Sequence, residues 1–256
     1  LKKINTLLAI LVMLFVVNSL KAQTYPIPKY SLHIHGGYTL GLPDLKGNYP
    51  GDLGKDPVPY FANNGFNFGA DFKYFVDKKS TFGVMLALTY TMLSSGDKGV
   101  DVPAPDTLVG TGTFRADMRI ITIGVGAEYD FAPKRPANPF VNVQFTTNLI
   151  GGSEKFDASG GAKLSSSRDM SSAVRFGATF GAGVDVKLSK KIGVIIGGRY
   201  AFANLFGKDL TENTSSNYGL NDKETTATKS KKMAYLQFFA GMSFYFGQKT
   251  TKVIKK

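Results

Sequence analysis

Eight stretches of the chain place bulky apolar side chains at every second residue, with small or polar ones between. A repeat of two belongs to extended strands with one apolar face, so this pattern restricts the fold more than any other feature. In residues 65–76, GFNFGADFKYFV, one face carries Phe66, Phe68, Ala70, Phe72, Tyr74 and Val76, and the other Asn67, Gly69, Asp71, Lys73 and Phe75. Residues 30–40 set Leu32, Ile34, Tyr38 and Leu40 against Ser31, His33, His35 and Thr39, and residues 82–93 set Val84, Leu86, Leu88 and Tyr90 against Gly83, Ala87 and Thr89. In residues 118–131, Ile121, Ile123, Val125 and Tyr129 alternate with Thr122, Gly124, Gly126 and Glu128. Residues 140–149 and 174–188 repeat the scheme, the latter with Phe176, Phe180, Val184, Val186 and Leu188 against Arg175, Thr179, Gly181, Gly183, Asp185 and Lys187. Residues 192–202 and 234–246 complete the set.

The connections strictly alternate in length. Residues 41–64, 94–112, 151–170 and 205–231 are long and rich in Gly, Ser, Asp, Asn and Pro, whereas 77–81, 132–139 and 189–191 are short. Connections this long are uncommon in a compact soluble domain, but short turns at one end and long loops at the other describe a membrane barrel. A soluble eight-stranded barrel would turn its apolar face inward. Here that interior would have to hold Phe66, Phe68, Phe72, Tyr74, Phe176 and Phe180 with similar bulk from every other strand, too much volume for a small barrel. The opposite face, with its glycines, threonines and few charges, fits a narrow lumen. The expected fold is therefore all-β: an eight-stranded antiparallel transmembrane up-and-down β-barrel over residues 23–247, with the phenylalanines toward lipid.

Residues 1–22 read as a signal peptide: Lys2 and Lys3 precede an apolar run from Leu7 to Val17, and the small residue Ala22 ends the segment. That run is short of the roughly 20 residues a spanning helix needs, and every later apolar stretch is interrupted. Cysteine is absent, which excludes disulfides, a cysteine nucleophile and a lipidated N-terminal cysteine. The chain carries 31 basic and 19 acidic residues. Many of the basic ones fall at the short-connection end: Lys29, Lys78, Lys79, Lys134, Arg135, Lys190, Lys191 and a basic tail over residues 248–256 with Lys249, Lys252, Lys255 and Lys256, opposed by Asp77 and Asp130. An anionic leaflet or an anionic periplasmic partner would be attracted by such a rim. Nucleic acid is not expected, because no basic motif with interleaved aromatics occurs outside the strands.

The last strand, YLQFFAGMSFYF, carries a family resemblance. Gly241, Phe244 and Phe246 match the glycine and two aromatics of the C-terminal assembly signal of bacterial outer-membrane barrels. Phe239 stands where that signal has a polar residue, and further residues follow the final aromatic. With the leader and the eight-strand layout, the chain resembles the small outer-membrane β-barrel family, the OmpA/OmpX-like and porin-family barrel domains of Gram-negative bacteria. The resemblance implies a monomer in the bacterial outer membrane with both termini periplasmic, inserted by the barrel-assembly machinery and surrounded by outer-membrane lipid and lipopolysaccharide. Functions in that family are too varied to carry over.

Three groups of residues could carry chemistry. His33 and His35 project to one face with Ser31, but no carboxylate lies at a neighbouring alternate position to orient a histidine, so lumen packing is the expected role. Asp71, Lys73, Glu128, Arg175, Asp185, Lys187 and Arg199 share the inward phase with Tyr235, Gln237 and Tyr245. They are expected to form a filling network in which Asp71, Asp185 and Glu128 satisfy Arg175 and Arg199, since buried charge is tolerated only when paired. Arg115 and Arg119, in the outward phase beyond the apolar band, suit lipopolysaccharide phosphates, with Asp117 as a competing local partner. Phosphate loops, zinc-ligand spacings and nucleophile elbows are missing, so no catalytic residue, metal or cofactor is expected. The leading expectation is a non-enzymatic barrel with a structural or surface-interaction role through long extracellular loops. The alternatives are a porin-like transport pore or gated channel for small solutes and, after it, a lipid-modifying enzyme.

Overall fold

The computed structural model describes residues 25–102, 110–159, 165–211, 213 and 217–248. Its strands are β1 (Tyr30–Gly41), β2 (Asn64–Phe75), β3 (Phe82–Ser94), β4 (Lys98–Val102), β5 (Gly110–Asp130), β6 (Ala137–Ser159), β7 (Ser165–Lys187), β8 (Ile192–Phe206), β9 (Asn217–Tyr218) and β10 (Ala234–Phe246). Eight of them form the wall in the order β3-β2-β1-β10-β8-β7-β6-β5, and pairing of β3 with β5 closes the ring. Every wall pairing is antiparallel. The fold is an eight-stranded antiparallel β-barrel; closure leaves no open edge within the wall, which is what a spanning sheet requires in hydrocarbon.

The alternation resolves into two unlike surfaces. Phe68, Leu88 and Phe145 are 60%, 55% and 57% exposed on the outside, whereas Asp71, Glu128 and Arg199 are 1%, 1% and 4% exposed inside. Side chains this apolar on the outer wall suit lipid, and charges this buried require partners. Small inward residues make room for them: a Cβ on Gly126 would stand 2.0 Å from the Val143 carbonyl oxygen, and one on Gly241 would stand 2.1 Å from that of Ile34.

The long connections differ from the expectation. Residues 151–170 are mostly strand: β6 runs on to Ser159 and β7 begins at Ser165, so the hairpin rises well past the rest of the wall. Within residues 94–112, β4 pairs with the start of β5. Glycine and serine density suggested loop there, but ladder pairing with a neighbouring extended strand outweighs weak local propensity. The expected leader and most of the basic tail lie outside the described residues.

Two of the long loops, L1 (residues 42–63) and L4 (residues 207–233, containing β9), fold inward over the barrel mouth. Leu45 and Tyr60 of L1 and Leu220 and Met233 of L4 join Leu93, Met118, Ile120, Ile150 and Tyr235 of the wall in one buried apolar cluster. Tyr60 donates its hydroxyl to the Leu220 carbonyl at 2.6 Å, and the Lys232 and Lys229 amides donate to Asp44 and Asp56. The lumen is thus polar toward the short-turn end and apolar toward the long-loop end.

Candidate functional site

The polar half of the lumen is built by cross-strand register. Asp71 on β2 pairs in register with His33 on β1, and Gly241 on β10 stands opposite His35. The Arg199 guanidinium on β8 forms an ion pair with Asp71, lies 4.6 Å over the Phe239 ring and comes 3.4 Å from His35 Nε2. His35 Nε2 is also 3.3 Å from Asp71. The carboxylate that strand 1 alone did not supply therefore comes from the adjacent strand, a correction that only the register could reveal.

Lys73 forms a buried ion pair with Glu128, whose other oxygen accepts from the Asn142 amide at 3.1 Å. Asp185 accepts from both the Ser243 and Tyr245 hydroxyls at 2.7 Å, and Lys187 donates to the Pro133 carbonyl. Gln237 donates to Thr91 at 2.9 Å. The cavity left among Lys73, Asp130, Asp185, Lys187 and Tyr245 is about 10 Å³, at most one water.

His33 lies between Ser31 at 3.0 Å and Ser243 at 3.3 Å, and the Ser243 hydroxyl donates to Asp185 at 2.7 Å. The arrangement resembles a nucleophile relay, but Ser31, His33 and Ser243 are fully buried. A nucleophile needs a reacting atom about 3 Å away, and the cavity that Ser31 lines among the described residues is only about 10 Å³.

Arg175 departs from the expected network. It does not meet Asp71, Asp185 or Glu128; its guanidinium holds Asp222 of L4 through Nε and Nη2 at 2.9–3.3 Å and forms an ion pair with Asp209. Asn204 of β8 donates to the same Asp222 at 2.8 Å and accepts from the Met233 amide at 2.7 Å. Arg175 sits higher in the barrel than the other charges, so loop carboxylates reach it and lumen carboxylates do not. Sequence reasoning missed Asp209 and Asp222 because acidic residues are unremarkable in a polar loop.

On the outer surface, Arg115 bonds Asp117 at 2.8 Å and lies 3.6 Å from Asp97, while Arg119 is exposed and has no side-chain partner among the described residues. Lys155 faces Arg115 across the β5–β6 pairing. In β10, Gly241 points inward and the Phe244 and Phe246 side chains point outward.

The long-loop end also holds a cleft of about 690 Å³ between L1, L4 and the raised β5–β6–β7 hairpins, lined by Tyr49, Phe114, Phe156, Arg168, Tyr218 and Lys231 among others. It lies within the usual size range of small-molecule sites.

Among solved structures, the chain is similar to Neisserial surface protein A, with 16% identity over 85% of this chain and 97% of that one and a TM-score of 0.46. It is also similar to OprG of Pseudomonas aeruginosa, with 16% identity, coverage of 88% and 98% and a TM-score of 0.42. Ail, the attachment invasion locus protein of Yersinia pestis, shows 14% identity, coverage of 84% and 99% and a TM-score of 0.37. No curated protein matches the chain. The family model described as outer membrane protein beta-barrel domain matches residues 7–230, and with the closed eight-stranded wall and its apolar exterior already in view, the chain belongs to this family of the bacterial outer membrane.

Proposed function

We propose that the protein is a closed, non-enzymatic outer-membrane barrel that presents its long loops as a surface-interaction platform. The observation that carries this reading is the double seal of the lumen: paired charges fill the short-turn half, and L1 and L4 close the mouth with an apolar cluster. Eight strands leave an interior that side chains can fill, whereas water-filled porins need about 16 to 18. Conductance of the refolded protein in planar bilayers tests it. The expected trace is silent; large stable openings in the unmutated protein would establish transport instead.

The long loops face the outside in this reading, and the short turns and both termini face the periplasm, after removal of residues 1–22. The basic short-turn rim, with Lys78, Lys79, Lys134, Arg135, Lys190 and Lys191, supports attraction to an anionic inner leaflet or an acidic periplasmic partner. Arg119, exposed and without a side-chain partner among the described residues, with Arg115 and Lys155 nearby, supports contact with lipopolysaccharide phosphates. Gly241, Phe244 and Phe246 serve recognition by the assembly machinery.

A gated channel is the second reading. It is favoured by the way the charged tie of L4 to the wall is concentrated on Arg175, which pairs with both Asp209 and Asp222, so that a discrete ion-pair change would loosen the loop.

A further inference from the structure

The inward phase of the wall continues above the mouth. On the raised hairpins it carries Phe114 on β5, Glu154 and Phe156 on β6 and Arg168 on β7. In β7 this phase depends on a bulge. Below it the odd-numbered Arg175 and Thr179 face inward, but the pairing shifts between Ile150 and Gly152, leaving Ser171 and Ser172 opposite Gly151. Arg168 and Met170 are thereby re-aimed inward. Bulges that redirect side chains are found beside binding sites more often than elsewhere.

L1 and L4 supply the facing walls, and the space between is the open cleft of about 690 Å³. Tyr49, Phe156 and Tyr218 line it as half-buried rings, above the band where lipid could explain aromatic residues. Its inward-facing cations outnumber its anions: Arg168 and Lys231 against Glu154. Arg168 is matched, bonding Glu154 at 3.0 Å and lying 5.4 Å over the Tyr218 ring. Lys231 is not. Its ammonium stands 4.4 Å over the Tyr60 ring and no carboxylate lies within 4 Å of it among the described residues; burial lowers its pKa below the ordinary lysine value, against the opposing pull of the more distant Glu154, Asp222 and Asp44.

We propose that this cleft is a binding site for an acidic saccharide, whose anionic group meets the Lys231 ammonium while its sugar rings lie against the half-buried aromatics. Aromatic faces present a large apolar surface at little conformational cost, and an anion gives the unpaired ammonium its missing partner. Ser166, Asn213 and Asn221 provide polar lining for sugar hydroxyls. Acyl chains are a poorer fit because they would bury the ammonium without a partner.

The inference rests on the long loops being an interaction surface, and its test separates the two. Refolded protein in micelles is titrated calorimetrically with tetragalacturonate and with neutral maltotetraose, with conductance recorded on the same preparation. The acidic tetrasaccharide should bind at least tenfold more tightly, lose affinity with added salt, and lose at least tenfold in Lys231→Met. Lys46→Met, an exposed cation outside the cleft, should bind unchanged, and Phe156→Leu should weaken the acidic saccharide several-fold. Equal binding of both saccharides, no binding of either, or unchanged affinity in Lys231→Met would overturn the site. A silent barrel that fails to bind overturns this inference alone, and a conducting barrel that binds overturns only the closed-barrel reading.

Discussion

Arg199 on β8 and Asp71 on β2 form a buried ion pair across the lumen, although β10 and β1 separate their strands in the wall. The pair therefore ties non-adjacent parts of the cylinder together. Removing one partner strands the other in a dry interior, at a cost of about 3–5 kcal/mol. Arg199→Met and Asp71→Leu should each destabilise the barrel by that order in reversible urea unfolding from phospholipid vesicles. The double variant should recover a large part of the loss, since both desolvation costs vanish together. Strictly additive losses would show that the two side chains act independently.

Lipid exposure of the outer phase predicts a different response from Phe72 and Leu86, which face each other across β2 and β3 and are about half exposed. An arginine on the lipid face deep in the bilayer costs roughly 2–4 kcal/mol. Phe72→Arg and Leu86→Arg should lower the yield of folded, heat-modifiable barrel in vesicles. Assembly of both at the unmutated yield would contradict a lipid-facing surface.

These two expectations draw on what the sequence showed best. Side-chain phase was legible because a one-residue slip would exchange Phe72 with Asp71 or Lys73, so each strand specifies its faces locally. The mouth was not legible. Ile120 and Ile121 are adjacent and both apolar, and Leu149 and Ile150 repeat the ambiguity, so the alternation is silent where the inward side turns apolar. Nor could the partners of Arg175 be found, because Asp209 and Asp222 lie 34 and 47 positions away in a loop whose inward fold depends on Leu220 and Met233. The bulge that re-aims Arg168 has no sequence mark beyond a run of serines.

The turn after β2 predicts a pH dependence. The Asp77 carboxylate accepts the amides of Lys79, Thr81 and Phe82 at 2.8–3.0 Å. Burial alone would raise its pKa, but these amides outweigh it and hold the carboxyl below its ordinary value. A depressed folded pKa gives stability that is present above the unfolded value of about 4 and is lost as pH falls through the folded one. Asp77→Asn should therefore cost on the order of 1 kcal/mol at pH 7. The difference from the unmutated protein should shrink on acidification below pH 4, as read from urea midpoints; a difference that is constant with pH would remove the carboxylate from the account.

The hold of Arg175 on L4 makes the most specific prediction. Arg175 is 2% exposed and Asp222 fully buried, and Asp222 also accepts from Asn204, so one carboxylate fixes the loop to two strands. Asp222→Asn keeps the shape but weakens the charge-assisted bonds, and Arg175→Met removes them. Either change leaves the ion pairs of the lower lumen intact, because Arg199 and Lys73 have their own acids. The wall should thus remain folded while L4 opens locally. Amide exchange should accelerate at Asp209, whose N–H is bonded to Asp222, and at Met233, bonded to Asn204, more than within β1 or β2. Brief small openings should appear in planar bilayers if the seal that L1 and L4 share fails once L4 lifts, and silence with exchange raised would place the remaining seal at L1 or at Arg199 and Phe239. Unchanged exchange at Asp209 and Met233 in both variants would show that the apolar cluster around Leu220 holds the loop without the arginine.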